Sequence, residues 1–201
     1  MDINRIRLKD RKICLVVSSI DFESDDELLD FIALALDAGV DIIQFKEQHF
    51  NARKIIDVGK KIRELCSIYD SLFIVNSRVD IARIVKADGV HLDINDVDVC
   101  SAKSILDPNS IVGLSIPSLD QVHNFQGEQA DYLCFCPVDE IDDVMEQPYD
   151  TEFVNDLTNI PVFVSKSLSG RKLSNRVIIT SAEEKNALFF AKIKELSNKL
   201  K

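Results

Sequence analysis

The chain has 201 residues, a formal net charge of −10, and 46% hydrophobic against 29% charged residues. Its length suits one domain, residues 1–201, and its composition is ordinary for a soluble globular protein. The negative charge disfavours nucleic-acid binding, which needs a cationic surface, and no apolar stretch approaches the roughly 20 residues that span a membrane.

The N-terminal segment MDINRIRLKDRK is basic, and the apolar run that follows it, KICLVVSSI, is short and breaks into the acidic DFESDDE. This pattern is typical of a first strand and not of a secretory signal, so we expect a cytoplasmic protein. The five cysteines form no C-x-x-C pair, and their odd number argues against a complete disulfide framework. We expect them to be buried as small hydrophobic side chains.

Eight short apolar runs alternate with helical patterns along the chain. The predicted strands are Ile13–Val17, Val40–Phe45, Leu72–Val75, Gly89–Leu92, Ile111–Leu114, Asp131–Phe135, Pro161–Val164 and Val177–Ile179. Eight strands that alternate with helices predict a parallel (β/α)8 barrel, the TIM-barrel architecture.

Local signals mark where several helices begin and end. Ser24 opens a capping-box pattern, Gly39 is placed to end the helix that follows, and Asn51 and Ser118 are placed to cap two later helices. Only about a dozen residues, SKSLSGRKLSNR, separate the seventh strand from the eighth, and a parallel crossover with its helix normally needs at least that many. We therefore predict that the helix between strands 7 and 8 is missing or shortened.

Polar residues follow the predicted strands at their C-terminal ends, which is where a barrel of this type places its active site. The cations among them are Lys46, Arg78 and Lys166, and carboxylates cluster at Asp93 and Asp96. Such a set suits a phosphate or pyrophosphate with a bridging Mg²⁺, which prefers carboxylate and phosphate oxygens. The alternative is that the rim is polar only because its loops contact water.

Motifs in the same region resemble the thiamine-phosphate synthase/TenI family. The family motifs N-D-R-V-D-x-A and A-D-G-V-H-L correspond to N-S-R-V-D-I-A at 76–82 and A-D-G-V-H-L at 87–92, with Asp96 four positions past the leucine. Gly113-Leu114-Ser115 matches the family's G-x-S. The resemblance covers residues 12–165 and implies a barrel enzyme of thiamine biosynthesis. Such an enzyme joins aminopyrimidine (HMP) pyrophosphate to thiazole phosphate with Mg²⁺.

The resemblance assigns roles to the residues that match these motifs. Lys166 joins them as a cation that follows the seventh strand. The predicted substrate-binding residues are Gln44, Lys46, Asn76, Arg78, Ser115 and Lys166. Lys46 and Ser115 are also the predicted catalytic residues, because they would stabilise the departing pyrophosphate, and Asp96 is the predicted metal ligand. We expect His91, inside a strand motif, to be structural.

Several positions depart from the family pattern. Lys46 stands in place of an arginine, so a point charge replaces a forked donor, and Gln48 stands in place of a lysine. Ser77 replaces a metal-binding aspartate, and Asp93 is a candidate substitute ligand.

The departures increase toward the C-terminus. The family's T-x-T-K loop, which holds the thiazole phosphate, is absent from residues 138–146, where five carboxylates would repel a phosphate. The family's I-G-G-I corresponds to S-K-S-L at 165–168, so side chains stand where glycine lets the backbone approach the phosphate.

Three functions remain open. The first is a thiamine-phosphate synthase-like transferase with weakened or altered activity. The second is a catalytically retired TIM-barrel protein that binds a phosphorylated small molecule in a regulatory role. The third is a structural or partner-binding role, which no specific feature favours. The expected partner is a small phosphorylated substrate. The sequence leaves the oligomeric state open, with a homo-oligomer among the alternatives.

Overall fold

The computed structural model describes residues 3–118, 130–135, 158–165, 176–180 and 187–200. Eight strands form a closed parallel barrel in which neighbours follow chain order and the eighth strand pairs with the first. The strands are β1 Ile13–Val17, β2 Ile42–Phe45, β3 Leu72–Asn76, β4 Gly89–Leu92, β5 Ile111–Ile116, β6 Tyr132–Phe135, β7 Val162–Ser165 and β8 Val177–Thr180. The predicted (β/α)8 barrel is confirmed.

Helices lie between and beside these strands. They are α1 Ile3–Lys9, α2 Asp25–Ala38, α3 Ala52–Ile68, α4 Val79–Ile84, α5 Val99–Ile105 and α6 Ala187–Leu200. No helix in the described part of the chain is long and apolar enough to cross a membrane.

The predicted helix boundaries at α2 and α3 are confirmed. The Ser24 hydroxyl accepts a hydrogen bond from the backbone N–H of Glu27 at 3.2 Å, and Asn51 caps α3 in the same way. Gly39 ends α2 with a φ of 109°, a left-handed conformation that favours glycine. The predicted shortening between strands 7 and 8, the helix capped by Ser118 and the acidic loop at 138–146 lie outside the described residues.

Alternation along the strands divides the core into an inner and an outer layer. Residues that face outward, such as Leu15, Ile43 and Phe73, pack against the helices. Residues that face inward fill the barrel together with Leu8 of α1. These inward residues are Cys14, Ile42, Leu72, Ile74, Ile111, Tyr132, Cys134, Phe163 and Ile178.

Three of the described cysteines behave as predicted, because Cys14, Cys66 and Cys134 are buried. Burial raises the pKa of the Cys66 thiol to about 12, so it stays protonated at neutral pH. The prediction is wrong for Cys100, which lies exposed in the first turn of α5. Its polar neighbour Ser101 is exposed as well, so this part of α5 faces solvent.

The floor of the barrel, at the N-terminal ends of the strands, repeats one arrangement. An aspartate directly precedes β2, β4 and β6, and its carboxylate accepts a backbone N–H from the start of the preceding strand. These bonds are Ile13 N to Asp41 at 3.0 Å, Phe73 N to Asp88 at 2.8 Å, and Val112 N to Asp131 at 2.9 Å. The side chains therefore bond backbone groups where the strands begin.

Arginines of the N-terminal segment reach the same three carboxylates. The pairs are Arg5 with Asp131 at 2.5 Å, Arg7 with Asp88 at 3.4 Å, and Arg11 with Asp41 at 4.0 Å. Leu8, between these arginines in sequence, is almost fully buried in the inner layer. The N-terminal segment thus closes the floor and leaves the opposite end of the barrel as the mouth.

Candidate active site at the barrel mouth

The predicted site residues come from adjacent strands and gather at the C-terminal end of the barrel. Gln44 on β2, Asn76 on β3 and His91 on β4 face inward and are almost fully buried. Ser115 on β5 lies beside them, within hydrogen-bond distance of His91. Asn76 is the partner of His91 across the β3–β4 ladder. On the flanking ladders Gln44 pairs with Ile74 and His91 with Gly113. Asn76 and Ser115 are each the next inward position along their strands after these partners.

One side of the mouth is a chain of donors that ends on a carboxylate. The Gln44 amide donates to Asn76 Oδ1 at 2.9 Å, and the Asn76 amide donates to the Ser77 hydroxyl at 2.7 Å. Ser77 in turn donates to Asp96 Oδ2 at 2.7 Å. An ionised carboxylate can only accept hydrogen bonds, so Ser77 must donate to Asp96. The Ser77 oxygen then accepts from its other neighbour, Asn76, and Asn76 Oδ1 accepts from Gln44.

Ser77 adopts a left-handed backbone conformation with a φ of 58°. Its N–H donates to the carbonyl of His91 at 2.8 Å, which continues the β3–β4 pairing past the end of the strand. Non-glycine residues adopt this region rarely, and Asn and Asp do so more readily than Ser. The conformation places the Ser77 hydroxyl between Asn76 and Asp96, so serine keeps the hydrogen-bond geometry but brings no negative charge.

The other side of the mouth is a second chain of hydrogen bonds that starts deep in the barrel. The Tyr132 hydroxyl lies 3.0 Å from His91 Nδ1, and His91 Nε2 lies 2.9 Å from the Ser115 hydroxyl. Ser115 donates to Asp93 Oδ1 at 2.8 Å. Since Ser115 has one proton and gives it to Asp93, His91 must be the donor to Ser115, protonated on Nε2 and accepting from Tyr132 on Nδ1.

Burial sets the protonation states of this chain. Desolvation lowers the pKa of His91 to about 4, with the nearby Lys46 adding to the shift and the carboxylates Asp93 and Asp96 opposing it. Burial likewise raises the pKa of Tyr132 well above its ordinary value. His91 is therefore neutral and Tyr132 protonated at neutral pH, which agrees with the directions inferred from the hydrogen bonds.

The two chains join at the loop after β4. The backbone N–H of Asp93 donates to Asp96 Oδ2 at 2.7 Å, the same oxygen that accepts from Ser77. The backbone N–H of Asp96 donates back to the Asp93 carbonyl at 3.0 Å. The mouth thus holds one continuous network that runs from Gln44 to Tyr132.

The predicted cations take different places. Lys46 Nζ lies 4.0 Å from Asp93 Oδ2, so Lys46 belongs to the network. Arg78 donates twice to Asp80, at 2.8 and 2.6 Å, and this pairing raises the pKa of Arg78 and lowers that of Asp80. Arg78 also lines a cleft of about 230 Å³ with Asn76 and Ser77. Lys166 lies outside the described residues.

Glu47 is a part of the mouth that the sequence reasoning missed. Its carboxylate is buried and accepts from the backbone N–H groups of Ser19 at 3.0 Å and His49 at 2.8 Å. It thereby ties the loop after β1 to the loop that carries Lys46. The one signal in the sequence is its place directly after Lys46 in the substrate-binding motif.

The described side chains at the mouth can hold a metal ion only if a bound ligand supplies the remaining coordinating atoms. Among the described residues, no group of three or more His, Cys, Asp or Glu could hold a metal ion. Mg²⁺, however, usually binds one or two carboxylates together with substrate phosphates and water. Asp96 provides one such carboxylate at the mouth, and its two hydrogen bonds from Ser77 and the Asp93 backbone both fall on Oδ2. Both oxygens of the Asp93 carboxylate have partners, Ser115 on Oδ1 and Lys46 near Oδ2.

The chain is similar in sequence to known proteins. A family model described as thiamine monophosphate synthase matches residues 13–164. A thiamine-phosphate synthase of Synechococcus sp. (strain CC9605) is 37% identical over 134 residues, which make up 67% of this chain and 37% of that protein. The thiamine-phosphate synthase of a Methanococcus maripaludis strain is 38% identical over 128 residues, 64% of this chain and 60% of that protein. The matched stretches therefore span less than two thirds of these relatives.

The fold is similar to solved structures along almost the whole chain. Thiamine phosphate pyrophosphorylase from Pyrococcus furiosus superposes with a TM-score of 0.72 at 24% identity, covering 97% of this chain and 96% of that one. The tryptophan synthase α subunit of Legionella pneumophila superposes with a TM-score of 0.68 at 10% identity, covering 99% and 97%. At these identities the similarity shows the barrel fold and no more.

Proposed function

The chain belongs to the thiamine monophosphate synthase family (TMP-TENI), and we propose that it joins an aminopyrimidine pyrophosphate to a thiazole phosphate at the mouth of its barrel. Inorganic pyrophosphate leaves, and the product is a thiamine phosphate. The protein is then an alkyl transferase of thiamine biosynthesis that acts on small phosphorylated substrates. We expect its activity to be weaker than that of a member with the complete set of family motifs.

The observation that carries this proposal is the single hydrogen-bonded network at the mouth. Five residues that the sequence singled out for this reaction belong to it: Gln44, Lys46, Asn76, Asp96 and Ser115. They come from strands β2, β3 and β5 and from the loops after β2 and β4, so their meeting at one site does not follow from proximity in sequence. A polar rim in contact with water would not need inward-facing, buried amides such as those of Gln44 and Asn76.

The proposed reaction requires the protein to position the two substrates and to stabilise the charge on the departing pyrophosphate. The C–O bond between the pyrimidine methylene and the pyrophosphate breaks, and its electron pair leaves with the pyrophosphate. The thiazole nitrogen then donates its lone pair to the methylene carbon and forms the new C–N bond. In this proposal Lys46 and Ser115 stabilise the oxygens that gain charge, while Gln44 and Asn76 orient the pyrimidine ring.

Asp96 is the residue that would hold Mg²⁺, with pyrophosphate oxygens and water completing the coordination. When bound, the metal ion would neutralise part of the charge that develops on the leaving pyrophosphate. Ser77 lies beside Asp96 and donates to it, so the protein offers less negative charge to a cation than two adjacent carboxylates would. We therefore expect weak Mg²⁺ binding in the absence of substrate.

A second candidate function is a catalytically retired barrel that binds a phosphorylated small molecule in a regulatory role. The observation that favours it is the engagement of both Lys46 and Ser115 by Asp93, which leaves the anion-binding groups occupied within the protein. Removing one preorganised electrostatic group can cost about 10²–10³ in rate, and several positions depart from the family pattern here. A pocket can persist after such losses while turnover does not.

Incubation with Mg²⁺, aminopyrimidine pyrophosphate and thiazole phosphate, followed by detection of thiamine phosphate, tests the proposal. We expect product in the wild type and none in Asp96→Ala, with Asp26→Ala, an exposed residue of α2, as the control. Absence of product together with a rise in melting temperature on adding the pyrimidine substrate would instead support the retired barrel. Absence of both would refute the two functions.

A further inference from the structure

The carboxylate of Asp93 lies between the two groups that the proposed function assigns to the substrate anion. Its Oδ1 accepts the Ser115 hydroxyl proton at 2.8 Å, and its Oδ2 lies 4.0 Å from Lys46 Nζ. A hydroxyl donor and an ammonium group are the contacts that a phosphate oxygen would seek. Asp93 therefore makes, within the protein, the contacts expected of a bound anion.

The hydrogen bonds behind Ser115 are consistent with this direction. Because Ser115 donates to Asp93, its oxygen accepts from His91 Nε2, and His91 Nδ1 then accepts from Tyr132. The single hydroxyl proton of Ser115 must then point away from His91 and toward the mouth. In the structure Asp93 accepts the hydrogen bond that this hydroxyl donates. An incoming anion can therefore accept it only by displacing the carboxylate.

The backbone holds Asp93 at this point while its side chain has room to move. Its N–H donates to Asp96 at 2.7 Å and its carbonyl accepts from the Asp96 N–H at 3.0 Å, which closes a tight turn. The Asp93 side chain is nevertheless 40% exposed, and that of Lys46 is 44% exposed. The Asp93 side chain therefore already contacts solvent, and turning further outward would break its bond to Ser115.

We propose that Asp93 is a specificity-determining residue that occupies the anion position of the mouth and competes with the pyrophosphate group of the substrate for Ser115 and Lys46. The contact lowers the affinity for every anionic ligand that fails to displace the carboxylate. A ligand that also binds the buried amides of Gln44 and Asn76 gains the additional affinity that displacement requires. This inference rests on the proposed function, which identifies the anion as the pyrophosphate group of the substrate.

Titration of the purified full chain with inorganic pyrophosphate, in a buffer with a metal chelator, tests the proposal by calorimetry. Asp93→Ala removes both contacts, and we expect it to bind pyrophosphate about tenfold more tightly, since a hydrogen bond to a charged group is released. Asp93→Asn keeps an acceptor for Ser115 and removes only the charge. Because the exposed pair with Lys46 is weak, we expect a gain of no more than about threefold for Asn.

Two further variants separate the local contact from general electrostatics. Asp26→Asn makes the same change in net charge at an exposed position in the first turn of α2, and we expect less than about a twofold effect. In a Ser115→Ala background the gain from Asp93→Ala should shrink to that of Asp93→Asn, because the released hydroxyl is no longer there. This order of affinities would support the competition.

Equal gains for Asp93→Ala and Asp26→Asn, or an unchanged affinity in Asp93→Ala, would overturn the inference. So would the behaviour of a metal ligand, namely weaker pyrophosphate binding in Asp93→Ala when Mg²⁺ is present and no change with chelator. The binding measurement needs no turnover. A negative product assay would therefore refute the synthase activity alone, and unchanged pyrophosphate affinity would refute the competition alone.

Discussion

The hydroxyl of Tyr132 lies 3.0 Å from Nδ1 of His91, and both side chains are enclosed in the barrel with their rings stacked at 5.6 Å. Replacing Tyr132 with Phe keeps the shape but leaves a buried ring nitrogen without its donor. We expect a loss of about 1–3 kcal/mol in the free energy of unfolding, measured by urea denaturation.

The matched control is Tyr69→Phe, which removes a hydroxyl that pairs with Asp37 near the surface. We expect it to change the free energy of unfolding by less than about 0.5 kcal/mol. Equal stability of Tyr132→Phe and the wild type would contradict the direction assigned to the His91 hydrogen bonds.

The titration of His91 makes stability depend on pH in a defined window. Burial lowers its pKa from 6.5 to about 4, so the unfolded chain binds a proton at a higher pH than the folded chain does. The stabilisation is complete above about pH 6.5 and is lost as the pH falls toward about 4. We expect the contribution of His91 to the free energy of unfolding to change by up to about 3 kcal/mol across this window.

The measurement is the difference between urea unfolding curves of the wild type and His91→Gln from pH 7 to pH 4. Carboxylates titrate in both proteins, so the difference isolates His91. If the difference in the free energy of unfolding between the two proteins stayed constant over this range, His91 would not have the lowered pKa in the folded barrel.

Gly113 provides the space that Tyr132 occupies. A Cβ atom at Gly113 would lie 2.1 Å from Tyr132 Cζ, which forces the ring away from His91. We expect Gly113→Ala to destabilise the protein by about 1–3 kcal/mol in a thermal or urea melt.

Gly59→Ala is the control for the added methyl group. Its Cβ would meet only the Val85 side chain at 3.2 Å, and alanine is favoured over glycine in helix α3 by about 1 kcal/mol. We expect Gly59→Ala to match or exceed the stability of the wild type. A similar loss in the two variants would argue against a specific clash at Tyr132.

Asp88 joins two arginines at the barrel floor. Its carboxylate accepts from Phe73 N and pairs with both Arg63 and Arg7. We expect Asp88→Asn to lower the free energy of unfolding by about 2–4 kcal/mol, because the largely buried Arg63 loses this carboxylate and Arg7 keeps only its pair with the exposed Asp70.

Asp70→Asn is the corresponding control, since Asp70 pairs with the same Arg7 but is 82% exposed. It also has a φ of 52°, a conformation that Asn tolerates well, so we expect an effect of less than about 0.5 kcal/mol. Comparable losses in the two variants would mean that burial does not determine the strength of these pairs.

The fold could be predicted from the sequence because its signals are local and repeated. Apolar runs of strand length, the capping serine at Ser24 and the terminating Gly39 are each visible within a few residues. Helix α1 was not predicted, since its stabilisation comes from Leu8 in the inner layer and from arginine contacts with distant aspartates. Cytoplasmic location and a single domain over residues 1–201 stay predictions.

The site could be predicted only in part. Matching motifs indicated Gln44, Asn76, Asp96 and Ser115, and the structure brings them together, while their roles stay predictions. The bond between Asp93 and Ser115 could not be predicted, because Asp93 lies in the loop after β4, Ser115 lies on β5, and no spacing rule relates them. The proposed role of Lys166 falls outside the described residues.

The aspartate that directly precedes β2, β4 and β6 at the floor suggests how this barrel tolerates change at its other end. The three carboxylates and the arginines that meet them lie at the opposite end from the described groups that are assigned to chemistry. A substitution in a mouth loop can therefore remove a catalytic contact without loosening the scaffold's anchoring. Because of this separation, substitutions at the mouth can change which ligand binds while the barrel stays folded.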